Sequence, residues 1–347
     1  MERNDEVIAY FCERVERYRD DVDLLLLYGS YLTGDAAPRS DVDLCFVPAT
    51  ERGWQVAETF IYQGVGYDLF GMDWSRVVRI AQLTGSLTPL VADSRIYART
   101  PEAEERLLDL RARLVDRLGH PAVSHARAVD RLNLAAVEPD LAAGSLTMAR
   151  AREHAAFALV SLSEAVALSQ GRAFMRGLKR LHADLASLPW LPAGMLQRFD
   201  DVIRAEDRAR LEGGLGAILE AVASFLSVRA PWPHGRRIDA SARPLLDFGV
   251  LAHWYEEVSS TFLKLRTCAE SGDWRLAFFT AANLQRSLRV DAGVPLDVEL
   301  LGSYVADDLW SMVDASADLA LAIEVMLERA RGPPRRFESA DQLRAAG

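Results

Sequence analysis

Val7, Ile8, Phe11, Val15 and Tyr18 fall on one face of a helix over residues 5–19, and at Val22 the period of the pattern changes. Val22–Tyr28 is a short apolar run that ends at Gly29, residues 41–47 alternate acidic with apolar side chains, and Val65–Phe70 is a third short run bounded by glycines. These runs predict three adjacent strands. Between the second and third, residues 51–62 suit a helix, and Asp73-Trp74-Ser75 predicts the capped start of another that continues to about Leu83. Leu87–Leu90 and Arg95–Ala98 flank Ala92-Asp93-Ser94, which predicts a hairpin closing the sheet.

Beyond Pro121 the texture is helical, rich in Ala, Leu, Arg and Glu. Helices are predicted over 145–170, 172–187, 194–207, 209–228, 246–270 and 273–289, with a last helical stretch to about 330. Three prolines and a glycine at 230–244 predict a linker or ordered loop, and 291–295 a shorter interruption. The expected architecture is α+β. A small mixed-sheet domain spans 1–120, a helical domain bordering a cleft spans 121–230, an additional helical domain or extension spans 245–330, and a flexible tail runs from 331 to 347. Trp254, Tyr255, Trp274, Phe278 and Phe279 sit at helical spacings among aliphatics and are expected in the core.

Composition narrows the class. The formal net charge of −10 argues against general affinity for nucleic acid or an anionic membrane, both of which need clustered cations. Cys12, Cys45 and Cys268 are odd in number and lie in no Cys-x-x-Cys or Cys/His spacing, so neither a disulfide framework nor structural zinc is expected. The opening Met1–Glu6 lacks a basic stretch followed by an apolar one, and no run is long enough to span a bilayer, which makes the cytoplasm the expected location.

The chemistry concentrates between residues 28 and 70. Gly29 tolerates backbone angles that a side chain forbids, and Ser30 offers an N–H and a hydroxyl at the start of the following turn, a pairing suited to a polyphosphate. Asp41 and Asp43 are one residue apart, so on a strand they share a face while Val42 and Leu44 face the core. Two such carboxylates repel each other unless a cation lies between them, and hard oxygen ligands suit Mg²⁺. Asp68, among the neighbours of an interior strand, is a third carboxylate that needs a partner. Asp73 is explained instead as a helix cap.

Gly29-Ser30, then Ser40-Asp41-Val42-Asp43-Leu44, then Asp68 on a later strand, resembles the nucleotidyltransferase superfamily that includes DNA polymerase beta and the aminoglycoside nucleotidyltransferases. The likeness covers residues 22–70 directly and reaches about residue 100 through Leu90–Tyr97. It implies transfer of a nucleoside monophosphate from an NTP with release of pyrophosphate. It also implies that Gly29 and Ser30 hold the triphosphate, that Asp41 and Asp43 bind two Mg²⁺ ions, and that Asp68 binds the one that activates the acceptor hydroxyl. Gln170-Gly171-Arg172 and Arg176–Arg180 form a basic cluster similar to a segment of the streptomycin-type adenylyltransferases, and there Lys179 matches a lysine near the nucleotide phosphates.

These readings combine into an expected function: Mg²⁺-dependent transfer of AMP from ATP to a hydroxyl of a small, cationic acceptor such as an aminoglycoside, an antibiotic-resistance type of activity. Nucleic acid and membrane are not expected partners. Two alternatives stand beside it, a toxin-like transferase acting on a protein or tRNA and a silent nucleotide-binding regulatory module. Glu153 and Glu164 are candidates for a base at the cleft, and spacing does not separate them. Arg176 and His182 share a spacing with HEPN ribonucleases, but Gly177 follows the arginine where a polar residue is expected. His120, His125, His154, His234 and His253 form no ligand spacing.

Overall fold

The computed structural model describes residues 2–36, 39–229, 246–292 and 299–346. Its sheet contains β1 (Val22–Tyr28), β2 (Asp43–Pro48), β3 (Glu58–Tyr62), β4 (Val65–Gly71), β5 (Arg95–Arg99) and β6 (Arg336–Phe337), in the order β5-β1-β2-β4-β3-β6. β1 runs antiparallel to β2 and β5, β2 is parallel to β4, β3 is antiparallel to β4, and β6 is parallel to β3. The unbroken leucine run of β1 follows from burial on both faces. Leu25 and Leu27 pack with Val7 and Phe11 on one side, whereas Leu24 and Leu26 join the core shared with the helices on the other.

Fifteen helices surround this sheet among the described residues. In the first third they are α1 (Glu2–Arg17), α2 (Ser30–Thr33), α3 (Trp74–Ala81), α4 (Thr88–Ala92) and α5 (Pro101–Gly119). Then follow α6 (Pro121–Ala135), α7 (Glu138–Ala143), α8 (Met148–Leu168), α9 (Gly177–Ala186), α10 (Met195–Ile203) and α11 (Arg208–Phe225). The last are α12 (Phe248–Ser271), α13 (Trp274–Val290), α14 (Trp310–Arg329) and α15 (Ala340–Ala346). The expected linker at 230–244 lies outside the described residues, as do His234 and the greater part of the interruption at 291–295. No described helix is long and apolar enough to cross a membrane.

Three local expectations need correction. Residues 51–62 are not one helix: a 3-10 turn over Glu51–Val56 is followed by β3, because Thr59, Phe60, Ile61 and Tyr62 are β-branched or aromatic and all four are buried. The hairpin at 87–98 is instead a short helix followed by a single strand. Pro89 near the start of α4 suits a helix start and cannot donate to a ladder, and β5 pairs with β1 rather than with its own neighbour. The tail is a built element, with β6 on β3 and α15 against α1. Arg335 fixes it, its guanidinium bonding Glu58 at 3.0 Å and its backbone N–H donating to Glu256 at 2.5 Å.

The region from 245 on does not stand apart from the sheet domain. Helix α12 crosses the β3–β4 surface, and a Cβ on Gly66 would lie 2.1 Å from the Glu256 carbonyl oxygen, so only glycine lets the helix come this close. On the same helix Glu256 and His253 both bond the buried Thr59 hydroxyl, at 2.8 and 2.7 Å. Trp254, Tyr255, Phe278 and Phe279 are buried as expected, while Trp274 is half-buried and stacked against Arg204 and Arg275.

Candidate active site

β1 ends at Tyr28, directly opposite Asp43 at the start of β2. Between β1 and α2, Gly29 takes φ +78°, and a Cβ there would fall 1.9 Å from the Asp43 carboxylate. The turn is therefore wrapped tightly on that carboxylate, and the Ser30 backbone N–H donates to it. Asp43 shares the helix-facing side of β2 with Cys45, whereas Leu44 and Phe46 face α1.

Asp41 lies two residues before the strand begins, so strand alternation does not orient it. Its carboxylate is held instead by the Ser260 hydroxyl of α12, which donates at 3.0 Å. Asp68 sits in β4 immediately before Leu69, the register partner of Leu44, and Tyr67 and Leu69 face α1. All three carboxylates act on the buried Tyr28 hydroxyl, raising its pKa after burial itself. Burial pushes Asp43 up to about 7, reinforced by Asp41 and opposed by Lys264 and the Ser30 amide. Burial likewise raises Asp68 to about 7, with the charges of Glu257 and Asp41 adding to it.

These groups border a cavity of about 860 Å³ between the sheet and the helical region. Gly29, Ser30, Asp41 and Asp43 line it, but Asp68 is not on its wall. Among the described residues no group of three or more His, Cys, Asp or Glu side chains is drawn together as a metal cluster. What is assembled is a pair of cavity-facing carboxylates, with Asp68 behind them near Asp41.

The helices supply the opposite wall. Lys179 of α9 lines the cavity, and its ammonium donates to the Asp35 carbonyl at 2.6 Å while Arg180 pairs with the Asp35 carboxylate. Of the two glutamates, Glu164 faces the cavity and pairs with Arg131 at 3.1 Å. Glu153 is buried away from it, bonded to Gln285 at 2.9 Å and paired with Arg289. Arg176 pairs with Asp184, and His182 lies 3.5 Å from Asp200 beside Phe199, so the two form no joint site. Asp73 caps α3, accepting from the Arg76 amide at 2.7 Å. The three cysteines are free thiols.

Residues 5–117 match the family model of the nucleotidyltransferase domain. This is a nucleotidyltransferase domain. The enzyme is a nucleotidyltransferase, and its general reaction is transfer of a nucleoside monophosphate. No curated protein matches the chain. A crystal structure of a nucleotidyltransferase-like protein from Exiguobacterium sibiricum 255-15 is similar at 14% identity over 80% of this chain and 86% of that one, with a TM-score of 0.33. A likeness that loose supports nothing further about this protein.

Sequence reasoning missed Ser260 and Lys264, both on α12 and both facing the nucleotidyltransferase domain's carboxylates. They lie four residues apart, on one helix face, more than 200 residues from Asp43. No local motif marks them. One signal was nevertheless available, the scarcity of lysine in a chain that otherwise uses arginine.

Proposed function

We propose that the cavity binds an NTP with its triphosphate on the Gly29–Ser30 turn and transfers the NMP group to a hydroxyl of a small acceptor. The observation that carries this reading is the fit of Gly29 against Asp43, which brings backbone N–H groups and a half-buried carboxylate to one rim of a cavity large enough for nucleotide and acceptor together. ATP is the first nucleotide to test, and the cytoplasm is where an NTP would be supplied.

The donor set suits a hard divalent cation: oxygen ligands, a half-buried carboxylate whose charge is disfavoured without a counter-ion, and no room for a side chain at position 29. Asp41 and Asp43 would hold Mg²⁺ from the cavity side, with Asp68 supporting from behind. Mg²⁺ bound there would neutralise triphosphate charge and lower the pKa of the acceptor hydroxyl. Ser30 orients Asp43, Ser260 orients Asp41, and Lys179 stands where it can turn from the Asp35 carbonyl to a phosphate oxygen.

For the acceptor, the net charge of −10 favours a cation such as an aminoglycoside, but three of the cavity's other carboxylates already have partners. Asp35 pairs with Arg180, Glu164 with Arg131, and Asp273 caps the Leu276 amide. A small hydroxyl-bearing molecule is therefore the level at which we state the acceptor. Pyrophosphate release measured with Mg²⁺, each NTP and a panel of cationic, neutral and anionic hydroxyl compounds tests the reading. Absence of both NTP binding and turnover across the panel would overturn it.

Two further outcomes follow. Lys179→Ala should weaken ATP binding about tenfold by calorimetry, since a charge-assisted phosphate contact is lost. Unchanged affinity would remove Lys179 from the site. The second concerns pH. Asp43 and Asp68 have folded-state values near 7, against 3.8 for an ordinary aspartate, so the folded protein keeps protons that the unfolded chain releases between about pH 4 and 7. In EDTA, the melting temperature should fall as pH rises through that window, and Mg²⁺ should raise it more at pH 8 than at pH 5.5. Equal Mg²⁺ shifts at both values would contradict the proposed carboxylate site.

A further inference from the structure

The chain has 38 arginines and only two lysines, Lys179 and Lys264. Both line the same cavity, although only five of the 40 basic residues are seen to face it, so random placement of lysine would rarely put both there. They come from different helices: Lys179 from α9, and Lys264 from α12 in the stretch that has no counterpart in the family motif. Both ammonium groups lie within electrostatic reach of Cys268, which lines the same cavity, each opposing the rise that burial imposes on its thiol.

We propose that Lys179 and Lys264 form a two-lysine clamp on the polyphosphate of the bound NTP, with Lys264 gripping it on the side of Asp41 and Asp43. The inference rests on the nucleotide-binding reading above and adds α12 to the substrate site. Three observations converge on Lys264. It lines the cavity near Asp43, one helical turn beyond Ser260, whose hydroxyl reaches Asp41. Its side chain is exposed to the cavity, and among the described residues it enters no ion pair that would account for it as a structural cation. Finally, α12 is a rigid platform, fixed by Glu256 and His253 on Thr59 and by the close approach at Gly66.

The preference for lysine has a physical reason. A guanidinium is a planar fork suited to a fixed bidentate partner, whereas an ammonium is a compact charge with three donors on a flexible stem. Beside a carboxylate pair that binds a cation, the compact group can follow phosphate oxygens as metal enters and pyrophosphate leaves. Arginine serves everywhere else in the chain, including the cavity positions Arg131 and Arg176, which are paired to Glu164 and Asp184.

Having only two lysines makes the test direct. The full-length protein is trace-acetylated with an N-hydroxysuccinimide ester, alone or with Mg²⁺ and ATP, inorganic tripolyphosphate or AMP, and labelling at Lys179 and Lys264 is measured by mass spectrometry. ATP binding is followed in parallel by calorimetry. ATP and tripolyphosphate should protect both lysines about tenfold and AMP neither, and Lys264→Met should weaken ATP and tripolyphosphate binding about tenfold with an unchanged melting temperature. Lys264→Arg should recover only part of that loss. If ATP binds and protects Lys179 while Lys264 is labelled at its free rate, the clamp is overturned and the nucleotide site stands. If ATP does not bind at all, both fail.

Discussion

Asp43→Asn is expected to reduce nucleotidyl transfer by at least about a thousandfold while leaving the protein folded. The amide matches the carboxylate in shape but offers no negative charge to a divalent cation. Asp43 is half-buried beside Asp41, and its charged form is already disfavoured before metal arrives. Removing that charge should therefore relieve repulsion rather than open a cavity, and the metal-free variant should melt no lower than the parent at pH 8. Pyrophosphate release and thermal melting in EDTA together check both halves. Near-normal turnover in a well-folded Asp43→Asn protein would exclude this carboxylate from the reaction.

Gly29→Ala carries the second-largest expected effect, and it works through the same carboxylate. Gly29 adopts φ +78° and ψ −158°, a conformation essentially confined to glycine, so a side chain there is strained by about 1–3 kcal/mol whatever surrounds it. The added methyl would also start 1.9 Å from the Asp43 oxygen, which must then move. A displacement of about an ångström at a reacting centre costs on the order of a hundredfold in rate, so turnover should fall at least that far. Stability should fall as well, in contrast to Asp43→Asn. A Gly29→Ala protein that retained full activity would show that the turn does not position Asp43 for the reaction.

The two substitutions separate charge from placement. Loss of activity with retained stability in the first and loss of both in the second is the pattern expected if the turn and the carboxylate are one device. If Gly29→Ala lowered stability alone, the turn would be structural and the phosphate contact would have to come from elsewhere.

Much of the catalytic half was legible because its signals are local. The buried run of β1, the glycine at its end, the acids around β2 and the lone aspartate of β4 all declare themselves within 50 residues. Where local signals misled, a competing constraint prevailed. Residues 51–62 carry helix-compatible composition, but Thr59–Tyr62 gained more by pairing in the sheet interior. Asp41 was assigned to a strand by its spacing, yet it lies before β2, and what orients it is a serine 219 residues away.

What the sequence by itself determined is the domain type, the strand-turn-strand core and the identity of the acids and glycine within it, since these depend on alternation, turn chemistry and backbone freedom over short spans. What only the tertiary structure decided is which helices face those acids. An amphipathic helix specifies that it has a buried face, not what that face meets. The crossing of α12 over β4 at Gly66, the seat of Ser260 on Asp41, and the meeting of two lone lysines in one cavity all follow from long-range packing, which no local periodicity encodes.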